Sequence, residues 1–173
     1  YFLIVGRFVP ENNYETMIRE FMASDVQKDL IIITNVEHNK FYEELKEKTH
    51  FDKDERIKFV GTVYDKDLLK YIRENAYGYL HGHSVGGTNP SLLEALADTK
   101  LNLLYNVGFN KEVGENAALY WSNKSGNLSA LINEVDSMSI SQINNFDIAS
   151  TKRIKDRYSW KYIVRKYEEL ETK

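Results

Sequence analysis

The chain has 173 residues, of which 42% are hydrophobic and 28% are charged, with nine glycines and two prolines. This composition is typical of a globular protein, and the length predicts one domain of ordinary size. A formal net charge of −3 gives no field that would gather a long polyanion, so nucleic acid is not an expected partner. The absence of cysteine excludes disulfides and thiolate chemistry, and it fits a reducing, cytoplasmic compartment.

Short apolar runs rich in β-branched and aromatic residues recur along the chain and predict six strands. In chain order they cover residues 2–5, 30–34, 57–60, 77–81, 101–105 and 117–121. Helical spacing of apolar residues predicts helices between most of these strands. The expected helices include Tyr14 to Phe21 and residues 39–49, 66–75, 90–98 and 126–137, followed by a polar stretch at 137–145 and a closing helix from about Ser159.

The alternation of strands and helices predicts βαβ units, and near-continuous apolar strands suit a parallel sheet that is covered on both faces. The expected fold is therefore a Rossmann-like, doubly wound α/β domain with a parallel sheet of about six strands and extra C-terminal helices. Ligands of such sheets bind outside the carboxyl ends of the strands. The loops after Val5, Thr34, Val60 and His81 are the candidate binding loops. Because the chain starts inside an apolar run without a methionine, we expect it to belong to a longer protein.

A glycine-containing loop leads from the fourth predicted strand into the next helix, with the sequence G-H-S-V-G-G-T-N-P-S-L-L-E-A-L-A at 82–97. Glycine lets the backbone approach a ligand closely, and the amides and dipole of a helix N-terminus attract an anion. The loop therefore predicts a phosphate site. A simpler interpretation is that Gly86 and Gly87 make a tight turn, while Ser91 and Glu94 form an S-x-x-E capping box.

The segment G-R-F-V-P-E-N-N at 6–13 places Arg7 directly after the first predicted strand, at the same edge of the sheet. A guanidinium can bind phosphate oxygens in a bidentate manner. Arg7 is therefore a candidate phosphate ligand. The alternative is that it caps a neighbouring helix or pairs with a carboxylate.

Two D-x-D sequences, at 52–54 and 65–67, have the spacing that lets carboxylates share a divalent ion. Asp65 stands where a helix N-cap is expected, and each pair encloses a lysine in a charged surface stretch. We therefore expect no metal at either pair. His81 and His83 lack a third ligand, which favours hydrogen-bonding loop residues over a metal site.

Together, the segments G-R-F-V-P-E-N-N and G-G-T-N-P-S-L-L-E-A-L-A resemble the donor-binding domain of glycosyltransferase family 4. The sequences I-K-F-V-G at 57–61 and Y-S-W at 158–160 are also similar. More narrowly, H-G-H-S-V-G-G-T-N-P-S-L-L-E-A resembles bacterial rhamnosyltransferases of polysaccharide assembly, which would use dTDP-rhamnose. The resemblance implies that residues 1–173 form the C-terminal, nucleotide-sugar-binding half of a GT-B fold, with the N-terminal acceptor domain absent from this chain.

The resemblance also implies roles for individual residues. Arg7 would bind the donor diphosphate, the loop around Gly87 would bind its phosphates, and Glu94 would accept hydrogen bonds from the ribose hydroxyls. The nucleobase would lie near residues 62–64. The donor-binding residues implied in this way are Gly6, Arg7, Thr62, Val63, His83, Gly86, Gly87, Thr88, Asn89, Ser91 and Glu94, with Arg7 and Glu94 as catalytic residues.

The chain departs from the family pattern at two positions. The family commonly has a glutamate eight residues before the one that matches Glu94, and that position is Gly86 here. It often has a lysine where this chain has Asn12, so one phosphate-binding charge is missing. Arg7 and the helix dipole would then bind more of the phosphate charge, and His83 or the amides of Gly86 and Gly87 would replace the lost sugar contact.

The implied activity is metal-independent, retaining transfer of a sugar from dTDP-rhamnose or a UDP-sugar to a polysaccharide or lipid-linked acceptor. The isolated half is expected to be inactive and to self-associate, and the full-length enzyme is expected in the cytoplasm, peripheral at the inner face of the plasma membrane. Two alternatives remain open: a non-catalytic nucleotide-binding or interaction domain, and a sugar-nucleotide epimerase or phosphorylase of GT-B architecture.

Overall fold

The computed structural model of the chain describes residues 1–85, 90–157 and 160–171, without the side chains of 157, 160–163, 165 and 166. The predicted phosphate-loop residues Gly86, Gly87, Thr88 and Asn89 lie outside the described residues. So does the predicted start of the closing helix at 158–159.

Six parallel strands form one sheet, as the sequence predicts. They pair in the order β3-β2-β1-β4-β5-β6, so the direction of winding reverses between β1 and β4. This is the strand order of a doubly wound Rossmann-like sheet, in which ligands bind at the reversal point. The strands are β1 Phe2–Val5, β2 Leu30–Ile33, β3 Ile57–Gly61, β4 Gly78–His81, β5 Asn102–Tyr105 and β6 Leu119–Trp121.

Helices connect the strands and follow the last one. The α-helices of the described residues are α1 Tyr14–Ala23, α2 Lys40–Thr49, α3 Lys66–Asn75, α4 Pro90–Asp98, α5 Gly108–Gly114, α6 Asn127–Asp136, α7 Ile140–Arg157 and α8 Trp160–Glu171. Single 3-10 turns occur at Pro10–Asn12, Phe51–Lys53 and Glu115–Ala117. None of the described helices is both long enough and apolar enough to cross a bilayer.

Polar side chains set the starts of several helices. Asp65 accepts hydrogen bonds from the backbone amides of Asp67 and Leu68, which confirms the predicted N-cap. The polar stretch at 137–145 contains a helix start, because Ser139 and Gln142 exchange side-chain to backbone hydrogen bonds of 2.9 and 3.1 Å. This capping box begins α7, a helix that apolar spacing alone did not delimit.

The alternation of side chains along the strands builds a core on each face of the sheet. Phe2 and Ile4 of β1 pack with α1, α2 and α6, whereas Leu3 packs with Tyr79 and with Ala95 of α4. Helices therefore cover both faces, as predicted for the doubly wound fold. The edge strand β3 differs from the prediction of continuous burial, because Lys58 and every second residue face solvent.

Candidate functional site

A groove runs along the carboxyl edge of the sheet, across the reversal point between β1 and β4. Two adjoining cavities of about 590 and 480 Å³ form it, and Val5, Gly6, Arg7 and Val9 line both. We call the two cavities together the edge groove. Its larger part reaches from the end of β1 to the end of β4 and the start of α4, and its smaller part reaches to the loops after β2 and β3.

Most of the predicted donor-binding residues that the structure describes line this groove. Gly6 and Arg7 lie at its centre, His83 and Ser91 line the larger part, and a short segment at 62–63 lines the smaller part. Thr62 and Val63 therefore lie on the opposite side of Arg7 from Ser91. Residues that are far apart in sequence are brought together because each lies in a loop, or at a helix start, that follows the carboxyl end of a parallel strand.

Arg7 is exposed, and its guanidinium makes no hydrogen bond or ion pair with a described residue. Among the described residues it neither caps a helix nor pairs with a carboxylate, which were the alternatives to ligand binding. An arginine has five N–H donors in a fixed fork and no acceptor. The groove thus holds a cation at its centre that is open to an anionic ligand.

Buried tyrosines from the two faces of the sheet hold the end of β1 in place. The hydroxyl of Tyr14 donates to the carbonyl of Gly6, and that of Tyr79 donates to the carbonyl of Val5, each at 2.9 Å. Burial raises the pKa of both hydroxyls, so both remain neutral donors. The backbone that carries Arg7 is therefore fixed from both sides.

The loops after β1 and β4 are joined by three side-chain hydrogen bonds. Asn13 Nδ2 donates to the carbonyl of Gly82 at 2.7 Å, and Ser84 Oγ donates to the carbonyl of Glu11 at 2.6 Å. Asn12 Oδ1 lies 2.9 Å from His83 Nδ1. These contacts fix one wall of the groove relative to the other.

The hydrogen bonds of Asn12 also indicate which ring nitrogen of His83 is a donor. Asn12 Nδ2 donates to the carbonyl of Arg7 at 2.8 Å, so its Oδ1 is the atom that faces the imidazole. An amide oxygen only accepts, and His83 Nδ1 must therefore carry a proton. Asn12, where the sequences that this chain resembles often have a lysine, thus connects Arg7 to His83 instead of supplying a charge.

Gly82 permits the close approach of these two loops. A Cβ at this position would lie 2.2 Å from the carbonyl oxygen of Asn12 and 2.9 Å from the Cε of Met17. The first distance is far below van der Waals contact, and backbone atoms cannot rotate away as side-chain ends do. Glycine is therefore required here for a steric reason, independent of any turn conformation.

His81 ends β4 and lines the larger part of the groove. Its side chain is buried, and no described residue offers its Nε2 a hydrogen bond. Burial, together with the neighbouring His83, lowers the pKa of His81 to about 3. His81 is therefore a neutral hydrogen-bonding group at physiological pH and does not add a positive charge to the groove.

Glu94 does not line either cavity. Its Oε2 accepts a hydrogen bond of 2.7 Å from Nη2 of Arg73 on α3, and its side chain remains 53% exposed. The alternative prediction of a capping box is wrong, because Ser91 is already the second residue of α4 and the carboxylate of Glu94 binds another helix. Pro90 takes the predicted first helical position, since it has no N–H to leave unpaired.

The D-x-D sequences have structural contacts. Asp54 binds the guanidinium of Arg56 at 2.8 Å, and Asp65 caps α3. Within residues 1–85, 90–157 and 160–171, no group of three histidine, cysteine or carboxylate side chains has the arrangement of a metal site.

Sequence reasoning did not identify three of the polar groups described above. Arg73 could have been detected, because it follows Leu69 and Ile72 at the spacing of a core-facing helix position. Asn12 appeared only as a missing charge, although a short amide at the end of a strand suits bridging of loops. Asn13 adopts a left-handed conformation with φ of 57°, which asparagine tolerates better than most residues, and this marks it as a turn residue.

Neither a protein-family model nor a curated protein sequence matches the chain. Solved structures match its fold. A glycosyltransferase from Rickettsia africae superposes with a TM-score of 0.83 at 16% identity, over 98% of this chain and 46% of that chain. The Anabaena protein Alr3699/HepE in complex with UDP gives a TM-score of 0.83 at 16% identity, over 99% and 48%.

The C-terminal domain of a glycosyl transferase group 1 family protein (LpcC) from Francisella tularensis gives a TM-score of 0.68 at 17% identity, over 92% of this chain and 87% of that domain. At such identities the likeness establishes the fold alone, a Rossmann-like α/β fold that these glycosyltransferase structures share. The chain spans less than half the length of the first two structures, but most of the length of the isolated C-terminal domain.

Proposed function

We propose that the chain is the donor-binding half of a retaining glycosyltransferase and holds the diphosphate of a nucleotide sugar in the edge groove. The observation that carries the proposal is the guanidinium of Arg7, which pairs with no described residue and stands at the centre of a groove at the sheet's reversal point. A diphosphate there would lie between Arg7 and the start of α4, where the helix dipole also favours negative charge.

Arg7 is positioned to act on the chemical step. When the bond between sugar and phosphate breaks, negative charge accumulates on the departing diphosphate, and a preorganised cation stabilises that charge. The phosphates would also bind the loop at 86–89. In this mechanism Arg7 and the loop amides supply the stabilisation that a metal supplies elsewhere, and the acceptor hydroxyl is positioned by a partner domain in the complete enzyme.

The remaining groove residues suit the other parts of a nucleotide sugar. The smaller part of the groove, which Thr62 and Val63 line, also has an apolar wall formed by Ile33 and Leu69, which suits a nucleobase. His81 and His83 line the larger part, and their ring nitrogens are hydrogen-bonding groups that suit the hydroxyls of a sugar. Glu94 accepts from the ribose in this proposal.

Two observations bear on the identity of the donor. The narrow sequence resemblance favours dTDP-rhamnose, whereas the Anabaena protein of the same fold was solved with UDP and with UDP and glucose. We propose dTDP-rhamnose or a UDP-sugar as donor, with transfer to a polysaccharide or lipid-linked acceptor.

Binding measurements test the proposal directly. Calorimetry with UDP, dTDP, UDP-glucose and dTDP-rhamnose should show binding of at least one nucleotide to this chain. Arg7→Ala should weaken that binding by about 1.5–3 kcal/mol, the usual contribution of a hydrogen bond to a charged group, or about ten- to hundredfold.

Arg19→Ala is the matched control, because Arg19 forms a surface pair with Glu15 on α1 and does not line the groove. Its affinity should equal that of the wild type. Absence of binding to all four nucleotides would instead favour a non-catalytic interaction domain, a second candidate that gains support from the use of Asn12 as a loop bridge. Equal affinity of the wild type and Arg7→Ala would remove Arg7 from the site.

A further inference from the structure

Arg73 is a charged residue at a position that faces the core. It lies on α3 with a side chain only 4% exposed, beside the cluster that contains Tyr79 and Ala95. Its Nη2 donates to Glu94, and its Nε has no hydrogen-bond partner among the described residues. Arginine does not lose its proton in proteins, so a full positive charge is buried here with one carboxylate partner.

Stability does not account for this arrangement. Removing a charge from water costs several kcal/mol, and replacing a buried ion pair with apolar residues is often neutral or stabilising. A leucine or methionine at position 73 would fill a core-facing site without the unpaired Nε. We therefore look to Glu94, the half-exposed partner, for the role of the pair.

Glu94 is placed so that one oxygen is held and the other is available. Oε2 binds Arg73, whereas Oε1 makes no hydrogen bond with a described residue. Ser91, which lines the groove, stands three residues earlier on α4, a spacing that puts the two residues on neighbouring parts of one helix face. The carboxylate is thus held by α3 close to the groove-lining Ser91, and its second oxygen accepts from no described residue.

We propose that Arg73 is a positioning residue, which holds the carboxylate of Glu94 so that its other oxygen accepts hydrogen bonds from the ribose hydroxyls of the bound nucleotide. The inference rests on the proposed function, because it requires a nucleotide in the edge groove. It assigns to Arg73, a residue that does not itself line the groove, control over how tightly the ribose is bound.

The test compares nucleotides with and without ribose hydroxyls. The probes are UDP against 2′,3′-dideoxy-UDP, and dTDP against 3′-deoxy-dTDP. The readout is the affinity for the nucleotide that has the hydroxyls divided by the affinity for its deoxy analogue. Glu94→Gln should reduce this ratio by about tenfold, as expected for a hydrogen bond to a charged group. Arg73→Met should reduce the ratio by a similar factor, although Glu94, the residue that contacts the hydroxyls, is unchanged.

Two further variants separate positioning from folding. Arg73→Lys keeps the charge but not the rigid fork, so the ratio should fall to an intermediate value. The double variant Arg73→Met with Glu94→Gln avoids an uncompensated buried charge, and its ratio should be no lower than that of Glu94→Gln alone, since both changes remove one interaction.

Arg56→Met is the control for a general loss of stability. Arg56 is also a largely buried arginine, paired with Asp54 and bound to carbonyls at the end of α1, but it does not line the groove. It should lower stability and leave the hydroxyl-dependent ratio unchanged.

The outcomes are distinct for the two proposals. An unchanged ratio in Arg73→Met, or an equal loss of affinity for both members of each pair, would overturn the positioning role while leaving nucleotide binding intact. Failure of the wild-type chain to bind either UDP or dTDP would overturn both the positioning role and the proposed function.

Discussion

Gly82→Ala should disturb the edge groove more than the same change at Gly6, the other glycine among its described lining residues. The added Cβ would lie 2.2 Å from the carbonyl oxygen and 3.1 Å from the carbonyl carbon of Asn12, and 2.9 Å from the Cε of Met17. The end of the Met17 side chain can move, but the backbone of Asn12 cannot do so without moving its whole loop. The loops after β1 and β4 must therefore separate.

The magnitude follows from two contributions. Overpacking of a tight site typically costs about 1–3 kcal/mol. Separation of the loops also stretches the hydrogen bonds from Asn13 to Gly82 and between Asn12 and His83, and losing one such bond costs about 1 kcal/mol. The free energy of unfolding should fall by about 2–4 kcal/mol in total.

Urea unfolding at equilibrium measures this difference, with a lower midpoint and an unchanged dependence on urea concentration. Gly108→Ala is the control, because a Cβ there would meet no atom within 4 Å. Its midpoint should stay close to that of the wild type. An unfolding midpoint for Gly82→Ala equal to that of Gly108→Ala would refute the steric argument and the role of loop contact in shaping the groove.

Two other predictions concern protonation and surface. Because burial lowers the pKa of His81 to about 3, below its ordinary 6.5, its imidazole NMR signal should not titrate between pH 8 and 5. Burial of neutral His81 therefore makes folding pH-dependent: its contribution to the free energy of unfolding is fully present above pH 6.5 and is lost as the pH falls toward 3. The urea midpoint of the wild type should drop more steeply with acid than that of His81→Gln. Parallel profiles would contradict a buried neutral His81. Tyr167 and Leu170 on α8 are 66% and 67% exposed, and we expect this chain to self-associate through such apolar surface, so sedimentation showing a clean monomer at high concentration would count against the expectation.

The six strands and their parallel pairing could be predicted because buried strands have a strong sequence signal. Apolar runs bounded by polar loops located each strand to within two residues. Residues 108–114 gave no such signal, because a seven-residue helix with a glycine at each end is too short for apolar periodicity. The edge position of β3 also escaped prediction, since strand order is a property of the whole chain.

The site could be predicted only in part, for a related reason. Arg7 was found because a single position at a strand end determines which edge of the sheet it occupies. The contact between Arg73 and Glu94 joins residues 21 apart, and that between Asn12 and His83 joins residues 71 apart. No local pattern specifies such pairs, although a charge at a core-facing helix position indicates that a partner must exist.

The bridge made by Asn12 changes how this position's difference from the resembled sequences should be interpreted. In the sequence, asparagine in place of lysine looks like the loss of a phosphate-binding charge. In the structure its Nδ2 donates to Arg7 while its Oδ1 accepts from His83, and a lysine ammonium has donors only. A lysine at this position could not accept the proton of His83 Nδ1, so it would break the bridge between the two loops.

The presence of asparagine instead of lysine at position 12 also affects the charge of the groove. Among its described lining residues Arg7 is the single permanent cation, whereas Glu11 is a carboxylate and His81 is neutral. A diphosphate in the groove would therefore depend on one guanidinium whose backbone is held by Asn12. In the proposed site the amide at position 12 would thus support phosphate binding by fixing the loop that carries Arg7. A count of charges along the sequence cannot reveal this role.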